Sequence, residues 1–205
     1  MSASRHRAAD GSVLSTGLRL ALAPAPGFAA LVAARRDATW RAAIAGPVFS
    51  VATIGVLVSI ATTGRLTLEL AATLAAAWSF AVAIQIAAAV ALIASSPRRQ
   101  VSRPRAFELL FLGHLPWSLW LLAATASALA LDKVPLTPLA ATMVAPILWT
   151  MVIVAAMCRE VLGIARRGAL VRAIGHQAIV WGLALQVAAL AAGSWGRLIQ
   201  GALRW

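Results

Sequence analysis

Two histidines and a glutamate interrupt otherwise apolar stretches of this chain. His114 lies within FELLFLGHLPWSLWLL (residues 107–122), Glu108 stands near the start of that run, and His176 opens a later one. An ionisable side chain is costly inside a bilayer, so each of the three needs a partner or a function. Two imidazoles on two helices can ligate a b-type haem, which gives one hypothesis, a membrane redox subunit. Counted from the same membrane edge at 1.5 Å per residue, the depths of the two histidines in the bilayer differ by roughly 7 Å. A haem needs both ligands at one level, so no cofactor is predicted.

Pro116 follows His114 by two residues and predicts a bend. It has no amide hydrogen, so the carbonyl of Leu112 loses its helical partner and requires another donor within lipid. His114, Ser118 and Thr125 fall within about 40° of one another at 100° per residue. These side chains either line a cavity or form a polar seam between packed helices.

A second proline, Pro146, lies in the middle of the next apolar run. Thr142 precedes it by four residues and Thr150 follows it by four, on one face around the predicted kink. Helices interrupted in this way form the substrate sites of many transporters, so a transporter or permease subunit is a second hypothesis.

Glu108 lies close to the basic edge of its run. Arg105, three residues earlier, or Arg159, at the end of the following run, can pair with it. The alternative role for Glu108 is a proton-relay acid. The candidate polar seam comprises Glu108, His114, Pro116, Ser118, Thr125, Thr142, Pro146 and Thr150.

Signatures of catalysis are absent from the sequence. It has no phosphate loop, no HExxH and no CxxC, and Ser194 between two glycines lacks nucleophile-elbow spacing and a nearby base. Cys158 is the single cysteine, which indicates a packing residue. We therefore predict neither an enzyme nor a bound metal.

The elements that carry these residues are long apolar runs separated by short basic clusters. Apolar residues make up 61% of the chain and charged residues 12%, a composition typical of membrane proteins. The net charge of +12 comes from 17 arginines and one lysine that flank the runs, so it indicates anionic lipid headgroups rather than nucleic acid as the partner. Five spans are predicted: residues 42–63, 70–94, 107–131, the run after residues 132–135 up to about Cys158, and 175–195.

The predicted fold is an all-α polytopic membrane bundle of five transmembrane helices with an N-terminal amphipathic interfacial helix. Residues 1–41 form the N-terminal segment, in which Phe28, Leu31 and Val32 share one face of a helix after Pro26. Residues 42–195 form the membrane domain, and residues 196–205 form a short outer tail. Small residues recur along two spans and predict close helix packing there: Ala72, Ala76, Ser79, Ala83 and Ala87 in the second, and Gly175, Gly182, Gln186 and Gly193 in the fifth.

Basic residues are distributed unequally between the two sides of such a bundle. Fourteen lie in the N-terminal segment and in the second and fourth loops, and four lie on the other side. The positive-inside rule therefore predicts a cytoplasmic N-terminus and an outer C-terminus. Arginine and alanine usage is typical of a GC-rich bacterium, so the bacterial inner membrane is the predicted location. The candidate basic cytoplasmic face comprises Arg35, Arg36, Arg41, Arg98, Arg99, Arg103, Arg105, Arg159, Arg166, Arg167 and Arg172.

Several local patterns follow one another along residues 24–187: the proline before an amphipathic helix (Pro26, Phe28), the Trp40-Arg41 entry to the first span, Gly113-His114 ahead of Pro116, and Trp149 followed by REVLGIARRGA at residues 159–169. In this order they resemble the layout of the Yip1 superfamily of small polytopic membrane proteins. The resemblance to bacterial members implies a fold and a membrane-organising role rather than a reaction. The expected function is that of a non-catalytic interaction component, whose partners are anionic lipid headgroups and a membrane or acidic cytoplasmic protein.

Overall fold

The structure, a computed structural model, describes residues 13–96, 98–131 and 136–202. The predicted turn at residues 132–135, the segment 1–12 and the last part of the tail lie outside the described residues. Within those ranges the chain is all-helical, without strands. The helices are α1 (Val13–Leu22), α2 (Pro24–Ala33), α3 (Trp40–Thr63), α4 (Leu68–Ala94), α5 (Arg103–Leu112), α6 (Leu115–Ala130), α7 (Leu136–Thr142), α8 (Val144–Glu160) and α9 (Arg166–Ala202).

Four stretches of the described chain are long and apolar enough to cross a bilayer. They are Trp40–Thr63, Leu68–Ala94, Arg103–Ala130 and Arg166–Leu190. The chain is therefore a multi-pass helical membrane protein. The segment predicted as the fourth span is divided at Met143 into α7 and α8, of which α8 has 17 residues.

Side-chain caps and one glycine set the ends of α3 and α4. The hydroxyls of Thr39 and Thr67 accept from the backbone N–H groups of Ala42 and Leu70, at the helix starts. Gly64 ends α3 in the left-handed conformation (φ 65°), and its N–H donates to the carbonyl of Ile60. The predicted glycine cap is confirmed, because this backbone conformation favours a residue without Cβ.

The contact between α3 and α4 does not use the predicted small-residue face of α4. Those five side chains are exposed: Ala72, Ala76, Ser79, Ala83 and Ala87. The contact instead centres on Gly55, where an added Cβ would come within 2.6 Å of Cβ of Ala75. Alanine occurs on nearly every face of α4, so spacing alone could not single out the packing face. The exposed stripe borders an apolar groove of about 650 Å³ between α3 and α4.

The interfacial placement of the helix after Pro26 is not confirmed. Phe28 is fully buried in the core, and Leu31 and Val32 pack against the same core, so this face is turned towards the bundle. The indole Nε1 of Trp149 in α8 donates to the carbonyl of Ala21 at 2.8 Å, near the break between α1 and α2. Ala21 lies in the last turn of α1, where the carbonyls have no partner within the helix.

The last span begins earlier than its apolar composition indicates. Residues 166–172, predicted as part of a basic loop, already belong to α9. Its predicted glycine face makes no packing contact with the part of the chain that the structure describes, since a Cβ on Gly175 or Gly182 would meet nothing within 4 Å and Gln186 is exposed. Gly193 lies outside the residues whose side chains are described.

The core lies mostly at one end of the bundle, where α4 and α8 end and α5 and α9 begin. We call this the basic end, because the loops 95–102 and 159–165 and the arginines that flank them at the starts of α5 and α9 lie there. Eight fully or almost fully buried residues from α5, α8, α9 and the adjoining loop pack at this end: Ala106, Leu109, Met157, Cys158, Val161, Leu162, Ala169 and Ala173. The aromatic rings of Trp40 and Phe107 meet edge to face at 5.9 Å, which brings the start of α3 to the same end.

Candidate functional site

The third span is broken at the position predicted from Pro116. Helix α5 ends at Leu112 and α6 begins at Leu115, with Pro116 in its first turn. In between, the N–H of Gly113 donates to the carbonyl of Leu110, and the N–H of His114 donates to the carbonyl of Phe111. Both distances are 3.1 Å, and each acceptor lies three residues before its donor. The predicted bend is confirmed as a short tightened turn.

The imidazole of His114 contributes to this break. Its Nδ1 lies 2.9 Å from the carbonyl oxygen of Leu110, so Nδ1 carries the hydrogen and donates. The ring stacks on Phe111 with centroids 5.1 Å apart. A Cβ on Gly113 would come within 2.7 Å of a methyl group of Ile153, so α8 packs directly against the turn. His114 thus supplies a compensating donor, to Leu110 rather than to Leu112.

The predicted stripe on α6 behaves as a seam between helices at its far end. Thr125 is buried, and its hydroxyl donates to the carbonyl of Leu57 in α3 at 3.2 Å. Ser118, between His114 and Thr125, is half-buried. Such a hydrogen bond between two helices holds them together, so the role of Thr125 is structural.

The second break lies at Met143, three residues before Pro146. Thr142 accepts from Nε1 of Trp120 at 2.8 Å and donates to the carbonyl of Leu139, which ties α6 to α7. Thr150 is 2% exposed, and no described group bonds its hydroxyl oxygen. Thr142 and Thr150 therefore differ, since the first is a bridge and the second is a buried polar group without a partner.

His176 is buried in a place that its position in the sequence did not predict. It is 6% exposed, and neither ring nitrogen has a hydrogen-bond partner among the described groups. It lies ten residues into α9, so its depth from the basic end is close to that of His114 in the third span. Nearby, the indoles of Trp117 and Trp181 pack with centroids 4.6 Å apart.

Trp117 is three residues after His114 and Trp181 is five residues after His176, so the indole contact joins the two helices within about a turn and a half of each histidine.

Glu108 is engaged in an ion pair with Arg105. The Nη1 to Oε2 distance is 2.7 Å, and Arg105 is only 5% exposed. Arg159, the alternative partner, instead pairs with Glu160, and its Nη2 lies 3.5 Å from Oε1 of that residue. The pairing one turn apart on α5 is a structural use of Glu108.

The two arginine-rich loops form one ordered surface, which we call the basic cap and define as residues 95–105 and 159–172. The N–H of Gln100 donates to the carbonyl of Val161 at 2.8 Å. Gly163 has a left-handed backbone (φ 66°), and a Cβ there would lie 2.8 Å from the carbonyl oxygen of Arg98. The loops thus touch backbone to backbone, at a point where only glycine fits without strain.

Arg172 adds a side-chain link across the cap. Its Nη1 donates to the hydroxyl oxygens of Ser95 at 3.2 Å and Ser96 at 2.8 Å. Arg99 donates from its own Nη1 to the carbonyl oxygen of Ser96 at 3.2 Å. Two guanidinium groups therefore converge on one buried serine, which sequence reasoning missed, because serine in a polar loop carries no signal of its role.

The candidate basic residues differ in how far their side chains are exposed. Arg105 is buried, and Arg99 and Arg172 are half-buried. Eight side chains are exposed: Arg35, Arg36, Arg41, Arg98, Arg103, Arg159, Arg166 and Arg167. The segment that ends at Arg41 reaches the basic end through Trp40, whose ring meets that of Phe107, so the candidate basic residues are gathered at one end of the bundle.

Comparison of the chain with protein-family models, with curated proteins and with solved structures gave no match.

Proposed function

We propose that the chain is a five-span protein of the bacterial inner membrane, with the N-terminus in the cytoplasm and the C-terminus outside. Four stretches meet the length and hydropathy of a span, and α7 with α8 supplies 25 residues across one break, enough for a fifth. The basic cap lies on the side that the positive-inside rule assigns to the cytoplasm.

In this placement the protein acts without catalysis as a membrane-organising or interaction component, as its resemblance to the Yip1 superfamily implies. The observation that carries this proposal is the basic cap, a charged surface held in one shape by the Gln100–Val161 bond and by the close approach at Gly163. A preorganised surface binds with a smaller loss of conformational entropy than a mobile loop. Inside the spans, Glu108, Thr125 and Thr142 engage neighbours of the same chain, which favours packing over a substrate path.

Photo-crosslinking in native membranes tests this role. A benzoylphenylalanine at the exposed position of Arg98 or Arg167 should give discrete protein adducts, whereas the same group at Arg65, at the opposite end, should give none of them. Identical adducts from both ends, or none from the cap, would contradict an interaction role for this surface.

A transporter or permease subunit is the second candidate, and Thr150 and His176 favour it. Both are buried polar side chains that lack partners within the described chain, on the adjacent helices α8 and α9. A transported polar solute could satisfy them. Thr150→Cys should then react with a membrane-impermeant thiol reagent from one side, and Leu148→Cys, which faces outwards on the same helix, is the matched control. No reaction at Thr150→Cys from either side would exclude a water-filled path to this level.

A redox subunit with haem between His114 and His176 is the third candidate. An absorbance spectrum of the purified protein decides it, because a bis-histidine haem has a strong Soret band. A spectrum without that band removes the candidate.

A further inference from the structure

We infer that the basic cap holds the phosphodiester of an anionic phospholipid headgroup between Arg99 and Arg172, above Ser96. This inference rests on the proposed placement of the cap at the cytoplasmic membrane surface. It goes beyond general attraction of basic loops to lipid, because it assigns one site to two named guanidinium groups.

Two positive charges converge on Ser96. Arg172 donates to the hydroxyl of Ser96 at 2.8 Å, and Arg99 donates to the carbonyl of the same residue at 3.2 Å. Both acceptors are neutral, and no carboxylate among the described residues pairs with either guanidinium group, so their mutual repulsion is not offset within that part of the chain. An anion placed between them removes that repulsion.

Arg99 also has an unused hydrogen-bond donor. The Nε of Arg99 is buried and has no hydrogen-bond partner among the described groups. A guanidinium binds a phosphate through two parallel N–H groups, and Nε with one Nη forms such an edge. Since Arg99 is half-buried, a modest turn of its side chain presents this edge at the surface, where a phosphate oxygen satisfies the unused donor.

Carboxylates are few around the basic cap. Residues 95–108 and 159–172 contain eight arginines and two acids, Glu108 and Glu160. Glu108 is paired with Arg105, and Glu160 lies beside Arg159. Neither acid bonds Arg99 or Arg172 within the described chain, so the counter-ion of this pair has to come from outside the cap.

A lipid headgroup is the anion that suits the position. The cap lies where α4 ends and α9 begins, at the boundary between the apolar spans and the surrounding water. Lipid phosphates lie at that same level, and the acyl chains can follow the exposed apolar side chains Leu170, Val171 and Ile174 on the first turns of α9. Free phosphate has the same headgroup chemistry without this apolar contact.

Native mass spectrometry in a neutral detergent tests the site, with equal amounts of phosphatidylglycerol and phosphatidylcholine offered to the protein. We expect one phosphatidylglycerol to remain bound at about 0.15 M salt and at about 1 M, because the partly buried pair is screened less than exposed charges are. Arg99→Gln and Arg172→Gln should each weaken that binding by roughly fivefold, the loss expected for one charge near the lipid. Arg167→Gln, an exposed arginine of the same cap, should leave the high-salt binding unchanged.

Each opposite result overturns the inference. Equal retention of the two lipids denies a charge-selective site, and unchanged binding by Arg99→Gln denies its location. Displacement of the lipid by a large excess of inorganic phosphate would show that free phosphate is the ligand. Arg99→Gln carries the test if Arg172→Gln fails to fold, since the side chain of Arg99 makes a single hydrogen bond to the described residues, to a carbonyl. A lost crosslinking partner at Arg98 would count against the proposed function alone, because it leaves lipid retention unaffected.

Discussion

Gly163→Ala should destabilise the protein because it affects both the backbone of residue 163 and the contact between the cap loops. An alanine held at φ 66° is strained, and this strain lowers the free energy of unfolding by about 1–2 kcal/mol. Its Cβ would also lie 2.8 Å from the carbonyl oxygen of Arg98, so the loops must separate. Losing the Gln100–Val161 hydrogen bond adds about 1 kcal/mol. The expected loss of unfolding free energy is about 2–4 kcal/mol.

Gly64→Ala is the matched control for this variant. Gly64 has almost the same backbone angle, φ 65°, but a Cβ there would meet nothing within 4 Å. The control should therefore lose only the conformational part, about 1–2 kcal/mol. Denaturant unfolding in detergent micelles, followed by circular dichroism, measures both variants, and limited proteolysis reports whether the loops 95–102 and 159–165 have opened.

The comparison can refute the reasoning in two ways. Equal losses for the two variants would mean that the close approach to Arg98 contributes nothing. A larger loss for Gly163→Ala without faster cleavage in the cap would mean that the cost arises elsewhere. Gly163→Asn provides a further check, since asparagine tolerates the left-handed region better than alanine does while still carrying a Cβ.

Three further predictions concern orientation, the helix break and the polar seam. In intact cells a membrane-impermeant thiol reagent should label a cysteine introduced at Arg65 and not one at Arg99, and the reverse pattern would invert the proposed topology. Pro116→Ala should allow α5 and α6 to join, and it should lower the free energy of unfolding by about 1–3 kcal/mol because the neighbouring helices pack against the bent form. An unchanged melting temperature and an unchanged helix axis would contradict this. Thr125→Val should cost about 1 kcal/mol in unfolding measurements because it removes the bond to α3, whereas Ser127→Ala, whose hydroxyl donates only within its own helix, should cost less.

The positions that sequence reasoning located well are those where one residue type has one physical effect. Proline cannot donate, so the break before Pro116 follows from its presence alone. Glycine adopts the left-handed region without strain, so the end of α3 at Gly64 was predictable. Glu108 had two basic residues within reach and pairs with the one on its own helix, Arg105.

The features that sequence reasoning missed depend on contacts between distant segments. Alanine-rich α4 offers several equivalent faces, and the choice among them is made by Gly55 on another helix. The start of α9 was placed too late because its first turns contain arginines, which suggested a loop although arginine is a good helix former. The role of Ser96 appears only when Arg172, 76 residues away in sequence, is brought beside it.

The uneven distribution of the core has a consequence for how the protein fits membranes of different thickness. Beyond Val180 no described side chain of α9 is buried, and Thr125 is the last buried residue of α6, whereas the basic end is densely packed. Helices joined firmly at one end and loosely at the other can change tilt individually, pivoting about the packed end. Hydrophobic mismatch would then be absorbed by splaying of the outer halves of α6 and α9, while the spacing of Arg99 and Arg172 at the opposite surface stays constant.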